Sequence, residues 1–367
     1  MPDVLVYGDT VRSPELRHEI PLAIPDPFAY AERDGRRYVF VSSLEVPRLR
    51  ELNGIDVLAL EELGMDELIA QGVPRDQRAR EIVLRGCRRI GLEDALAPPG
   101  FPLDLADFLR ENGLRLSPDR AHFDGRRRVK SEAELAGIRR ANAAVTAALD
   151  AIRARLREGG EVTCEDLRLE ATRAFTDAGA VVPDLVIVSH GAQTAVGHEP
   201  GHGPIAPGEP VVVDLYPLDP ESGCCADVTR TFCLGDPPDE LVEYHRLCLE
   251  ALDQALSAIR PGVRGEEPFR IVCDLFAEHG FPTQLTKEPG EVLEEGFFHG
   301  LGHGIGLEVH EAPYLGRGGE EIVAGDVLAV EPGLYRKGFG GVRIEDDVLV
   351  TENGWERLTD YPYDLAP

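Results

Sequence analysis

Lysine is nearly missing from this chain. Of 38 basic residues only Lys130, Lys287 and Lys337 are lysines, a bias that fits genome composition better than any function. No apolar run approaches the ~20 residues that a membrane-spanning helix needs, so no membrane partner is expected. The opening MPDVLVYGDT has an acidic residue where a secretory leader would have its basic start, and no apolar core follows. The expected compartment is therefore the cytoplasm. CxxC pairs are absent among the seven cysteines, which run from Cys87 to Cys273; free thiols are expected, with adjacent Cys224 and Cys225 as packing residues. Positive charge is outweighed by 66 acidic residues, giving −28 overall. Such a field repels a phosphate backbone and disfavours nucleic acid as a partner.

What is present is a folded composition, 43% hydrophobic and 28% charged, over 367 residues, longer than one hydrophobic core usually serves. The first third alternates short apolar strands (4–8, 37–43, 56–60) with helical stretches in SLEVPRLRELN, MDELIAQ and RDQRAREIVLRGC, and RRIGLED restores a strand. This predicts a small, mainly parallel sheet covered by helices. No Gly-rich phosphate loop follows the first strand, so no nucleotide site is expected. The basic stretch 124–134 marks a boundary, placing the domains at 1–128 and 129–367. Ser131 with Glu134 forms a capping-box signature, and Leu135, Ile138, Val145, Leu149, Ile152 and Leu156 then recur at helical spacing. A second helix over 164–178 precedes strands. Helices over 238–259 and 266–279 precede more strands, an order that suggests an internal duplication within an α+β domain.

Acidic residues stand where apolar strands should exclude them. In VVVDLYPLDPESGCCADVTRTF, Asp214 ends one strand and Asp227 sits in the next; DVLAVEPGLY puts Glu331 at a strand end, and GGVRIEDDVLVTENG puts Glu345 inside another. Aspartate is depleted in strands, and a buried unpaired carboxylate is costly. Any one of them alone could face water; all of them in one domain point to a cation. With one histidine the set would carry about −4, enough for two divalent ions. An oxygen-rich set suits Mn²⁺, with Zn²⁺ and Co²⁺ compatible. Two such ions sharing a water would lower its pKa towards neutrality. Three histidines, His299, His303 and His310, lie in FFHGLGHGIGLEVHEAP. A helical His299/His303 pair is excluded, because Gly300, Gly302, Gly304 and Gly306 would each cost ~1 kcal/mol in a helix interior; an extended, glycine-opened strand and turn is expected instead.

The ordered set of Asp214, Asp227-Val-Thr-Arg-Thr, His303 in GHGIGLEVHEAP, Glu331 in EPGLY and Glu345 in RIEDDVLVTENG resembles the M24 metallopeptidases of pita-bread fold. These include Xaa-Pro aminopeptidases, prolidases, methionine aminopeptidases and the metal-free creatinases. The resemblance implies an α+β pita-bread catalytic domain after a smaller creatinase-type α/β domain, and a homodimer. It implies two divalent ions: Asp214 and Asp227 would hold one, Asp227, His303 and Glu331 the second, with Glu345 bridging and a metal-bridging hydroxide as nucleophile. Glu331 resembles the proton acceptor and donor, His310 the histidine on the scissile carbonyl, and His198 in QTAVGHEPGHGPI the cleft histidine, with His202 as its rival. His299 and Thr229 would lie in the substrate cleft or behind the ligands. Arg343 would orient ligands or meet a substrate carboxylate, unless it makes an ordinary structural salt bridge. The sequence departs from the family's Asp-x-Gly pattern at Tyr216, with a turn to Asp227 about two residues longer. An even insertion keeps both aspartates on one face. The implied substrate is a small peptide cleaved before proline; a non-peptide amide, or a catalytically inactive binding role, are the alternatives.

Overall fold

In strand β1 (Val4–Gly8), successive side chains enter opposite cores. Leu5 packs with Ala29, Ala31 and Phe40, whereas Val4 and Val6 pack with Phe28, Tyr30 and Val39. A strand buried on both faces must be apolar throughout, so it reads as a run and not as an alternation. The computed structural model describes residues 2–367, and the chain divides into two compact units at Arg127/Arg128.

The first unit runs through α1 (Pro14–Glu19), β2 (Phe28–Arg33), β3 (Arg36–Val41), α2 (Val46–Leu49), β4 (Ile55–Ala59), α3 (Met65–Ala70) and α4 (Arg75–Ile90). It continues through β5 (Asp94–Ala97), α5 (Leu103–Glu111) and β6 (Arg115–Pro118) into α6 (Arg120–Arg128). Its six-stranded sheet has the order β4-β3-β2-β1-β5-β6. Two of its strand pairs are antiparallel, β1 with β2 and β2 with β3, and the others are parallel. The sheet is thus more mixed than the sequence predicts, because β2 pairs antiparallel with both of its neighbours. Its hairpin turns at Asp34-Gly35, both at positive φ (50° and 75°), the conformation that short hairpins favour. RRIGLED is no strand at its start: Arg88–Ile90 finish α4, which Gly91 ends in the left-handed region (φ 70°), and β5 begins only at Asp94. The helix expected in SLEVPRLRELN shrinks to one turn, and the basic stretch read as a boundary holds the end of α6 and the start of the next helix.

The second unit opens with α7 (Glu132–Arg157), capped as the sequence predicts: Glu134 N–H donates to Ser131 Oγ (3.2 Å) and Ser131 N–H to Glu134 Oε2 (2.8 Å). Next come α8 (Cys164–Asp177), β7 (Ile187–His190), β8 (Pro210–Leu215) and β9 (Val228–Cys233), then α9 (Asp239–Ala258) and α10 (Glu266–Glu278). The remaining strands are β10 (Gly302–Gly304), β11 (Glu311–Leu315), β12 (Val327–Val330), β13 (Gly333–Arg336), β14 (Gly340–Arg343), β15 (Asp346–Thr351) and β16 (Gly354–Arg357). Helices α7 and α8 share one core with the antiparallel sheet β7-β8-β9; α9 and α10 share another with strands of the sheet β11-β10-β12-β15-β16 and with β14. Each half is a helix pair laid on strands, the arrangement an internal duplication produces.

Glycine in β10 is dictated by crowding. A Cβ on Gly302 would stand 2.0 Å from the Ala329 carbonyl oxygen, and one on Gly304 would stand 2.4 Å from that of Ala312. The segment is extended, pressed between β11 and β12. All seven cysteines are free and buried. No helix among the described residues is long and apolar enough to cross a membrane.

Candidate active site

Asp214 faces Thr229 directly across the antiparallel pair β8 and β9. Asp227 lies two residues before Thr229 and so shares its face. It sits one residue ahead of β9, not within it as the sequence suggests. Glu345 likewise falls in the gap between β14 and β15, where its N–H donates to the Thr229 carbonyl at 3.1 Å. That break lets the carboxylate turn towards the other ligands without disturbing either ladder. His303 is the central residue of β10, paired with Ala329, and Glu331 follows β12 directly.

These elements bring the five expected ligands together. Within each of three groups, Asp214–Asp227–Glu345, His303–Glu331–Glu345 and Asp227–His303–His310, one ligand atom per residue lies within 4.8 Å of the others. Glu345 is common to the first two, as a bridging role requires. Asp227 and His303 are completed by His310, so His310 stands nearer the ligand cluster than the sequence implies; its ring centroid is 4.2 Å from that of His303. His303 Nε2 is 3.8 Å from Asp227 and 3.9 Å from Glu331. Asp214, Asp227, His303 and Glu345 are buried.

The cluster is electrostatically unfinished. Asp214 Oδ1 and Asp227 Oδ1 are buried with no hydrogen-bond partner among the described residues. Burial, then repulsion from Glu345 and Asp214, pushes the Asp227 carboxyl well above its ordinary range, and burial with Glu331 and Asp214 does the same to Glu345. Burial drives Glu331 up to about 7, with Asp214 adding to it against the opposing pull of Arg343. Burial lowers His303 to about 4, with His310 adding to it, so its imidazole is neutral and able to accept a cation. Unpaired carboxylate oxygens beside a neutral imidazole are a donor set that divalent cations complete.

Around the ligands lies a cavity of about 520 Å³ whose wall includes His198, Tyr216, Phe298, His299 and His310. His198 is in the wall. Its rival His202 is an exposed side chain whose ring lies 3.7 Å from Glu199, and it is not among the lining residues. His299 stands between Glu331 and Tyr335, its Nδ1 3.9 Å from a Glu331 carboxylate oxygen and its Nε2 3.0 Å from the Tyr335 phenol oxygen. Thr229 Oγ1 donates to Glu345 Oε2 at 2.7 Å and accepts from Arg343 Nε at 3.2 Å. Arg343 also pairs with Asp214, so its charge is directed at one of the expected ligands. The Tyr216 hydroxyl is pushed up to about 12, by burial first and then by Asp214 and Asp227, and so stays protonated.

Sequence reasoning missed several supporting residues. The fully buried Arg230 donates to the carbonyls of Thr229 (2.9 Å) and Glu345 (2.7 Å) and to Asp346 Oδ1 (2.8 Å). Asp347, Asn142 and Tyr335 are also absent from the expected set. An arginine inside the apolar strand VTRTF, and three acidic residues in a row in RIEDD, were the available signals.

Residues 136–352 match the model of metallopeptidase family M24. A Xaa-Pro dipeptidase of Pyrococcus horikoshii is 32% identical over 278 residues, covering 75% of this chain and 74% of that protein. A probable dipeptidase PepE of Mycobacterium tuberculosis is 35% identical over 247 residues, 65% of this chain and 60% of its own length. Among solved structures, the prolidase from Pyrococcus furiosus superposes with a TM-score of 0.78 at 23% identity, covering 99% of this chain and 97% of that one. An X-Pro aminopeptidase from Thermotoga maritima gives 0.79 at 22%, covering 98% and 96%. These likenesses give the pita-bread fold. With the family match spanning most of the second unit, the chain belongs to metallopeptidase family M24, whose peptidases use divalent metal ions.

Proposed function

We propose that this chain is a dinuclear metal-dependent peptidase that hydrolyses the bond before proline in small Xaa-Pro peptides. The observation that carries the reading is the convergence of Asp214, Asp227, His303, Glu331 and Glu345 with buried carboxylate oxygens left unpartnered. The names of its relatives, Xaa-Pro dipeptidase and X-Pro aminopeptidase, supply the substrate class. Asp214 and Asp227 would hold one ion and Asp227, His303 and Glu331 the other, with Glu345 shared and manganese as the proposed metal. When bound, such ions supply Lewis-acid polarisation of the scissile carbonyl and acidify water towards neutrality.

The chain's own groups do the rest. Glu331, at the cavity, takes a proton from the attacking water on a carboxylate oxygen and returns it to the leaving nitrogen. His310, whose imidazole is held neutral by burial and then by the nearby His198, donates a hydrogen bond to the carbonyl oxygen as negative charge develops there. His198 lines the cleft beside it. Arg343 fixes Asp214, and Thr229 fixes Glu345. The reading includes a creatinase-type domain over 1–128, a catalytic domain over 129–367 and a cytoplasmic homodimer.

The test compares Xaa-Pro dipeptides, longer Xaa-Pro peptides and amidated metabolites on Mn²⁺-reconstituted protein. Cleavage of proline substrates, abolished by chelation, is expected; cleavage of none of them would overturn the reading. Tyr216 in the cavity wall favours one second reading, a non-peptide amide substrate, which cleavage of the metabolites alone would select.

A further inference from the structure

Asp227 is held from behind by a closed ring of hydrogen bonds. Its backbone N–H donates to Asp347 Oδ2 at 3.1 Å, and the same oxygen accepts from Asn142 Nδ2 at 2.8 Å. The Asn142 carbonyl oxygen accepts from Thr359 Oγ1 at 3.1 Å, and Thr359 Oγ1 in turn accepts from the Asp347 N–H at 2.9 Å. The second Asn142 amide hydrogen goes to the Ile138 carbonyl at 3.1 Å. Asp347, Thr359 and Asn142 are 0%, 3% and 4% exposed, and none lines the cavity.

The ring runs in one direction only. Asn142 must present hydrogens to a carboxylate and an oxygen to a hydroxyl, which a side-chain amide does and a carboxylate does not. With both amide hydrogens used, the amide cannot flip without losing its bonds to Asp347 and Ile138. Asp347 is thereby fixed from helix α7 and from the segment after β16, and it fixes the backbone at the residue just before β9. A shift there would re-aim both Asp227 oxygens.

We propose that Asn142 and Thr359 are positioning residues that set the metal affinity of the site without touching metal or substrate. This rests on the reading of Asp227 as a ligand. Groups that orient metal ligands from behind are worth about 10–100-fold in metal affinity when removed.

The experiment titrates chelator-stripped protein with MnCl₂ by calorimetry, using wild type, Asn142→Asp, Thr359→Val and Thr359→Ser. Thermal midpoints of the metal-free forms are recorded alongside. Asn142→Asp and Thr359→Val are expected to bind Mn²⁺ about 10–100-fold more weakly, with Thr359→Ser close to wild type. A merely structural ring would lower the midpoints and leave the affinity of the folded protein unchanged, and that result overturns the proposal. Should Asn142→Asp not fold, Thr359→Val decides alone. Wild-type protein that binds no Mn²⁺ would instead refute the metal reading, and this proposal with it.

Discussion

Arg343 and Asp214 are paired inside the protein: the guanidinium closes on Oδ2 of the carboxylate, while Oδ1 has no partner. Removing one member of a buried pair strands the other. Arg343→Met is therefore expected to destabilise the metal-free protein by about 3–5 kcal/mol. Saturating Mn²⁺ should restore part of this, since a cation supplies the lost partner. Urea unfolding with and without metal measures both, and an unchanged metal-free midpoint would refute the coupling.

Glu331→Gln separates chemistry from folding. The variant keeps shape and loses the proton acceptor, so kcat should fall by ~10²–10⁴-fold. Because the Glu331 carboxyl is pushed up to about 7, ionising it strains the metal-free fold. The glutamine variant should accordingly melt no lower than wild type at pH 8. Full activity in this variant would sink the proposed mechanism.

Metal affinity should rise with pH. Glu331, pushed up to about 7, holds a proton at pH 6 that a cation must displace, and Asp227 and Glu345 are shifted in the same direction. His303, lowered to about 4, is already neutral and releases none there. The apparent Mn²⁺ affinity should therefore increase from pH 6 to pH 8, with protons released on binding. Calorimetry in two buffers of different ionisation enthalpy counts those protons; a flat profile with no release contradicts the assignment.

Tyr216 occupies the place where the family pattern has glycine, and it lines the cavity. Tyr216→Gly should widen the cleft and raise kcat/KM most for Xaa-Pro substrates with the bulkiest first residue. Tyr216→Phe should leave that size ranking alone. Kinetics across a series from Gly-Pro to Phe-Pro resolve this, and identical rankings in all forms would remove Tyr216 from specificity.

The proposed ligands were legible in the sequence because each broke a local rule. An aspartate in VVVDLY and a glutamate in GGVRIEDD are anomalies in apolar stretches of sequence, and glycine repetition around His303 forbids a helix. Helix α7 was readable at its start because a capping box is a local motif. Residues that act through tertiary contact left weaker marks. Asn142 sits among alanines in a helix whose periodicity hides it, and Arg230 looks like one more surface charge until its guanidinium is seen wrapped by carbonyls. Strand β2 was missed because a hairpin strand between buried neighbours shows neither alternation nor a long run. The start of RRIGLED misled because three residues fit a helix end as well as a strand.

Arg230 has a consequence beyond the ligands it supports. Besides Thr229 and Glu345 it donates to the carbonyls of Tyr361 (2.9 Å) and Pro362 (3.1 Å), while Leu365 accepts from Cys233 N–H (2.7 Å) and Tyr363 from His245 (2.7 Å). The stretch from 361 to 365 is therefore part of the support behind the proposed ligand Glu345, tied to it through one side chain. Engineering at this stretch, by fusion, trimming or cyclisation, is not remote from catalysis, even though the stretch contributes no residue to the cavity wall.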